Sequence, residues 1–243
     1  MTRLLTTLCM IALLVSCKSD PKNPNDVSHP ISDTSSKGST SEKNSTSQIE
    51  EKLTVAEEIA YAHGLKNWNE VSQIDFTFNV DNNGNHFERS WRWNPKTDDV
   101  KLTTGKEVIT YNRKSIDSTS IKADQSFIND KFWLLAPYQM VWDEGTIISK
   151  STKEIAPMSK TELNKITVLY ANEGGYTPGD AYDFYFDNKH EIKEWIFRKG
   201  NTTKPTMITS FENYGDFNGL KIAKDHIKSE GNWKLYFTNI TVK

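Results

Sequence analysis

Beyond position 17 the chain has no cysteine: of its 243 residues only Cys9 and Cys17 are cysteines, and both lie near the N-terminus. The body of the protein therefore has no disulfide of its own, no thiolate zinc site and no catalytic thiol. Aromatic residues are missing from the first 50 positions, and all 11 Phe, 9 Tyr and 7 Trp follow them. A basic surplus is lacking as well. The 30 Lys and Arg against 32 Asp and Glu leave a net charge of −2, so nucleic acid is not an expected partner. No apolar run reaches the ~20 residues that a membrane-spanning helix needs. The stretch 132–142 comes nearest within the body, with Gln139 as its one polar residue and Pro137 inside it. Too short to span a bilayer and too apolar to lie exposed, it is expected to pack against a sheet.

What is present begins with an address. Arg3 precedes an apolar stretch, Leu4 and Leu5 and then Leu8 to Val15, laid out as a secretory signal is. Residues 1–16 are read as a signal peptide. The stretch closes Leu14-Val15-Ser16-Cys17, which resembles the bacterial lipobox. That resemblance implies that Cys17 is lipidated on sulfur, in the manner of a palmitate anchor, and becomes the acylated first residue of the mature chain. Lys18 follows, where bacterial sorting rules place Asp for inner-membrane retention. The implied location is the outer membrane of a Gram-negative envelope, with the domain tethered on the periplasmic face or the cell surface. Residues 17–52 are mainly Ser, Thr, Asn, Asp, Lys and Pro, with Val27, Ile31 and Ile49 as the only large aliphatics, too few to offset the entropy of ordering. They are read as a disordered linker with a root-mean-square reach of about 30–35 Å.

Residues 53–243 read as one mainly β domain. Thr54 with Glu57 three residues on is a capping box that opens a helix from Val55 to about His63, with Gly64 placed to end it. Ile74, Phe76, Phe78 and Val80 then alternate with polar residues, the period of a half-buried strand. After the turn 81–85, a second strand over 86–94 puts Phe87, Arg89, Trp91 and Trp93 on one face and His86, Glu88, Ser90 and Arg92 on the other, completing a hairpin. The alternation alone does not say which face is inward. Further strands are predicted at 100–103, 107–111, 147, 166–170, 182–186, 192–197, 207–211, 220–222 and 233–240, about eleven in all. Short turns between successive strands imply antiparallel pairing, and a sheet this long is expected to curl.

No catalytic constellation survives inspection, and no enzymatic activity, cofactor or metal is expected. His190-Glu191-Ile192-Lys193-Glu194 lacks the second His of a zinc-protease helix and falls on a strand pattern. Asp81, Asn83 and Asn85 imitate the first ligands of a calcium loop, but His86 stands where glycine is required and Arg92 where a bidentate Glu is required. Asp180 or Asp225 could be drawn as the acid partner of His226, though nothing in the sequence brings them together. The glycine-rich loop 173–180 either shapes a rim or is a long hairpin connection.

One resemblance covers most of residues 51–243. Val71-Ser72-Gln73-Ile74-Asp75-Phe76-Thr77-Phe78, Ser90-Trp91-Arg92-Trp93-Asn94-Pro95 and Thr104-Gly105-Lys106-Glu107-Val108-Ile109-Thr110-Tyr111-Asn112 resemble the first strands of the outer-membrane lipoprotein carrier (LolA/LolB-like) family. The stretches 182–186, 192–197 and 209–219 are similar to its closing strands, and the chain also looks like uncharacterised lipoproteins of the same half-barrel appearance. The resemblance implies a curved half-barrel closed by helices over an apolar hollow that holds acyl chains. In one respect the chain departs from the family: carriers place an Arg before the proline after the second strand, where it helps latch the lid, and here that residue is Asn94. The expected function is therefore amphiphile binding, to an acyl chain, lipid or lipopeptide, by a monomeric, membrane-anchored protein. Phe76, Phe78, Trp91, Trp93, Trp133, Leu134, Tyr182, Phe184 and Trp195 are the candidate cavity residues, with 132–142 as a lid in which Trp133 and Leu134 touch the chain. The alternative is a structural or partner-binding lipoprotein with a filled core.

Overall fold

Thr54 opens the first helix, α1 (Val55–Ala62), through the expected reciprocal cap: its hydroxyl accepts from the Glu57 backbone N–H, and the Glu57 carboxylate accepts from the Thr54 N–H at 2.7 Å. A 3-10 turn (Leu65–Glu70) follows Gly64. Gly64 has φ +98°, and a Cβ there would meet the Gly219 carbonyl oxygen at 1.9 Å. Only glycine ends α1 while letting the later chain pass so close. The structure is a computed structural model that describes residues 52–173 and 178–243. The expected signal peptide, Cys17 and all of the linker before Lys52 lie outside the described residues, as do Gly174, Gly175, Tyr176 and Thr177 of the glycine-rich loop.

Among the described residues fourteen strands follow, mainly as antiparallel meanders, against the eleven expected. The first sheet takes β1 (Ile74–Asn82), β2 (Asn85–Asn94), β3 (Asp99–Thr104) and β4 (Glu107–Asn112), and is extended on the other side of β1 by β14 (Trp233–Val242) and β13 (Asp225–Ile227). The second comprises β5 (Thr146–Ile148), β6 (Thr152–Ile155), β7 (Glu162–Tyr170), β8 (Ala181–Phe186), β9 (Ile192–Arg198) and β10 (Met207–Ser210), with β5 and β6 both on β7. A small hairpin, β11 (Gly215–Phe217) with β12 (Leu220–Ile222), stands apart. The three strands missing from the sequence reading are β6, β11 and β13, each of three or four residues.

Register places the apolar residues in cross-strand rows. Ile74, Trp93, Val100 and Tyr111 form one row, and Phe76, Trp91, Leu102 and Ile109 the next. On the second sheet Val168, Tyr182, Phe197 and Met207 form a row beside Ile166, Phe184, Trp195 and Thr209. These rows face the helices, which makes the face of β2 carrying Phe87, Arg89, Trp91 and Trp93 the inner one. Arg92 is on the outside, bonded to Asp75 at 2.7 Å. Between β10 and β13 the sheets are joined by two isolated bridges, Thr209 to Lys228 and Glu212 to Asp225. Side chains complete this seam: the Ile227 N–H donates to the Ser210 hydroxyl at 3.1 Å, and His226 Nδ1 lies 3.1 Å from the Ser210 carbonyl. The result is a curved antiparallel half-barrel.

The concave side holds α1 and a second helix, α2 (Ile121–Trp142), of 22 residues. Here the sequence reading needs correction. The stretch 132–142, expected as an eleven-residue apolar segment by itself, is the C-terminal half of one helix. Pro137 lacks an N–H and crowds the carbonyl four residues earlier, which bends the helix at Leu135 (φ −121°, ψ 25°) without stopping it. Leu134, Leu135, Tyr138 and Met140 are all buried in the two apolar clusters that fill the half-barrel, and that packing outweighs the local cost.

Candidate functional site

Two polar clasps hold α2 to the first sheet. Asp130, fully buried, accepts from Arg89 Nε and Nη2 at 2.5 and 2.6 Å and from the Trp91 indole N–H at 2.8 Å. One turn and a half earlier, Asp124 accepts from Arg113 Nε at 2.9 Å. Asn94, which stands where carriers of the resembled family have an arginine, serves the turn after β2: its side-chain oxygen accepts from the N–H groups of Lys96 and Thr97 at 2.9 and 3.2 Å. Arg89, five residues earlier, is the arginine that fastens the helix here.

At its C-terminal half α2 leaves a cavity of about 970 Å³ against the inner face of the half-barrel. Its wall is a chain of aromatic contacts. The Phe132 ring is 4.8 Å from Tyr182 and 5.7 Å from Trp195, Trp133 is 4.4 Å from Trp195 and 6.0 Å from Trp233, and Tyr182 is 5.0 Å from Phe197. Phe78, Ile128, Trp142, Met207 and Leu235 add to the apolar lining. Of the nine residues proposed from the sequence, Phe78, Trp133, Tyr182 and Trp195 line this cavity. Phe76, Trp91, Trp93, Leu134 and Phe184 lie in the packed core around it.

Polar residues that sequence reasoning did not single out also line the cavity, among them Arg113, Lys131, Gln139, Asp143, Glu144 and Glu173. Four side chains form a relay. With the Gln139 amide assigned the orientation that gives each end a complementary partner, Lys131 Nζ donates to its oxygen at 3.1 Å and its nitrogen donates to Asp143 at 2.7 Å, while the Tyr170 hydroxyl donates to the other Asp143 oxygen at 2.6 Å. Burial pushes the Lys131 ammonium down to about 8, helped by the neighbouring charge of Arg113 and opposed by Asp143 and Asp124. The cavity thus has a wide aromatic surface and a charged, hydrogen-bonded patch, a pairing of surfaces that suits a molecule with an apolar body and a polar end. The sequence signal for Lys131 was faint: a charged residue at the very start of an apolar run.

The other candidates are placed apart from this cavity. His226 is buried, 4.5 Å from the Phe211 ring and 5.2 Å from Trp133, whereas Asp225 pairs with Lys234 at 3.1 Å. As successive residues of a strand they point to opposite faces. Asp180 accepts from the Gly200 N–H at 2.7 Å. Asp81 bonds His86 at 2.7 Å. His190 lies 3.3 Å from Glu58 on α1.

No family model matches the chain, and no curated protein sequence does. Among solved structures it is similar to a DUF1329 family protein from Desulfovibrio piger ATCC 29098, with a TM-score of 0.42, 6% identity, and 78% of this chain and 93% of that chain covered. It is likewise similar to a protein described as an outer membrane lipoprotein-sorting protein domain from Vibrio parahaemolyticus, with a TM-score of 0.41, 9% identity and coverage of 78% and 91%.

Proposed function

We propose that the protein is a lipid-anchored envelope protein whose half-barrel holds an amphiphile, an acyl chain, lipid or lipopeptide, without covalent chemistry. The observation that carries this reading is the aromatic-walled cavity of about 970 Å³ beside α2, at the upper end of the range of about 300–1,000 Å³ for small-molecule sites. At about 0.8 kcal/mol per buried methylene, the fourteen methylenes of palmitate contribute roughly 11 kcal/mol before association costs of about 4 kcal/mol or more. Micromolar binding is then within reach. A fluorescent fatty acid titrated into the full chain is expected to bind saturably with one site per chain. A signal that rises linearly without saturation contradicts the reading.

A second reading, a structural or partner-binding lipoprotein with a filled interior, is favoured by one observation: eight of the nine proposed cavity residues, all but Trp133, are buried in the apolar clusters of the core. It predicts no saturable binding of any acyl probe.

Anchoring rests on the lipobox resemblance at Cys17. Because a domain with net charge near −2 gains little from anionic membrane surfaces, Cys17→Ala is expected to move the protein from the membrane to the soluble fraction. Retention equal to the wild type rules the anchor out.

A further inference from the structure

The charged patch of the cavity holds a cation whose balance is indirect. Lys131 leaves α2 half-buried, with Nζ 5.7 Å from the Trp93 ring centroid. Its hydrogen-bond partner is a neutral amide, the Gln139 oxygen at 3.1 Å. The carboxylates around it are engaged elsewhere: Asp124 with Arg113 at 2.9 Å, Asp98 with Lys114 at 3.4 Å, and Asp143 with the Tyr170 hydroxyl at 2.6 Å and the Gln139 amide nitrogen at 2.7 Å. Arg113 brings a second positive charge to the same lining. Burial and that charge push the Lys131 ammonium down to about 8, so near neutral pH it is a charged group kept partly out of water, a condition that an anion beside it relieves.

On the amphiphile reading given above, we infer that Lys131, with Arg113 beside it, is the headgroup site of the cavity and selects chains that end in an anion, a carboxylate or a phosphate, over neutral chains. The incoming anion replaces the Gln139 oxygen on Lys131, so a charge-assisted hydrogen bond takes the place of a bond to a neutral amide. Gln139 keeps its N–H on Asp143, and the relay to Tyr170 survives. The chain then lies along the aromatic wall of Phe132, Trp195 and Trp133. Glu144 and Glu173, exposed carboxylates of the same lining, disfavour an anion elsewhere at the mouth, which adds a repulsive element to the selection.

The test compares four probes, palmitate, palmitoyl lysophosphatidate, neutral 1-palmitoylglycerol and inorganic phosphate, on the full chain at pH 7, as wild type, Lys131→Gln and Lys131→Arg. Both anionic chains are expected to bind the wild type about tenfold more tightly than the neutral chain, the size of one charge-assisted hydrogen bond. Lys131→Gln removes that preference while holding the neutral-chain affinity within about twofold, and Lys131→Arg retains it. Inorganic phosphate displaces none of the chains; if it displaces palmitate, the site is one for free phosphate and the inference fails. Equal wild-type affinity for anionic and neutral chains, or a Lys131→Gln loss shared by all chains, overturns the headgroup assignment and leaves the amphiphile reading standing. Failure of every chain to bind overturns both.

Discussion

Asp130 shows how single side chains set the geometry of the cavity. Its carboxylate has no exposure and receives three donors, two from Arg89 and one from Trp91, so at this point α2 is fastened to β2. Removing one partner of a buried ion pair leaves the other uncompensated, which costs about 3–5 kcal/mol. Asp130→Ala is therefore expected to lower unfolding stability by that order in urea at pH 7; a loss below about 1 kcal/mol, the scale of a surface pair, contradicts the fastening role. At this scale the sequence was least legible. Phe78, Tyr182 and Trp195 were within reach because large apolar residues on alternating positions imply an inner face, and Trp133 because it stands in the apolar stretch 132–142. Arg89 and Arg92 were not distinguishable, since alternation separates two faces without saying which is inward. Lys131, Gln139 and Asp143 follow at spacings of eight and four residues, the repeat of one helix face, which could not be used because the stretch 132–142 was not read as a helix.

The seam between β10 and β13 is the element on which the continuity of the half-barrel depends. Two isolated bridges and the bonds of Ser210 and His226 stand where a full ladder would be. His226 is fully buried, and burial pushes its imidazole down to about 4; His63, at the end of α1, is likewise pushed down to about 4 by burial. Both are neutral in the folded chain, while the unfolded chain takes up protons through about pH 6.5. Their contribution is thus fully present above pH 6.5 and is lost as pH falls from there towards 4, by up to roughly 3 kcal/mol for each histidine. The melting temperature is expected to drop between pH 6.5 and 5, above the range where ordinary carboxylates titrate, and His226→Gln should flatten that drop. A melting temperature constant across this interval contradicts the assignment. Strands β6, β11 and β13 escaped the sequence reading because three or four residues hold too few alternations to register a period. The length of α2 escaped it because an apolar run with an internal proline has no amphipathic face, and tertiary packing carried the helix through the bend.

At the largest scale the described residues form a curved antiparallel sheet whose concave side is partly filled by two helices and partly open. That division leaves a cavity beside the core: the N-terminal half of α2 is held through Asp124 and Asp130, while at the start of its C-terminal half Phe132 and Trp133 meet the second sheet at Tyr182 and Trp195 and line the opening. The curl was legible from the number of strands and short turns. The position of the opening was not, because it depends on where a long helix is clamped and where it bends. Trp133 tests this division most directly, since it is half-buried, lines the cavity and touches Trp195 and Trp233, whereas Trp91 is a core residue with 2% exposure. The deciding measurement sets the affinity of the full chain for a fluorescent fatty acid beside its melting temperature in Trp133→Ala and Trp91→Ala. The account predicts that Trp133→Ala weakens binding about tenfold with a smaller loss of stability than Trp91→Ala, whose truncation costs roughly 3–5 kcal/mol. Unchanged fatty-acid affinity in Trp133→Ala, together with a stability loss as large as that of Trp91→Ala, would contradict it.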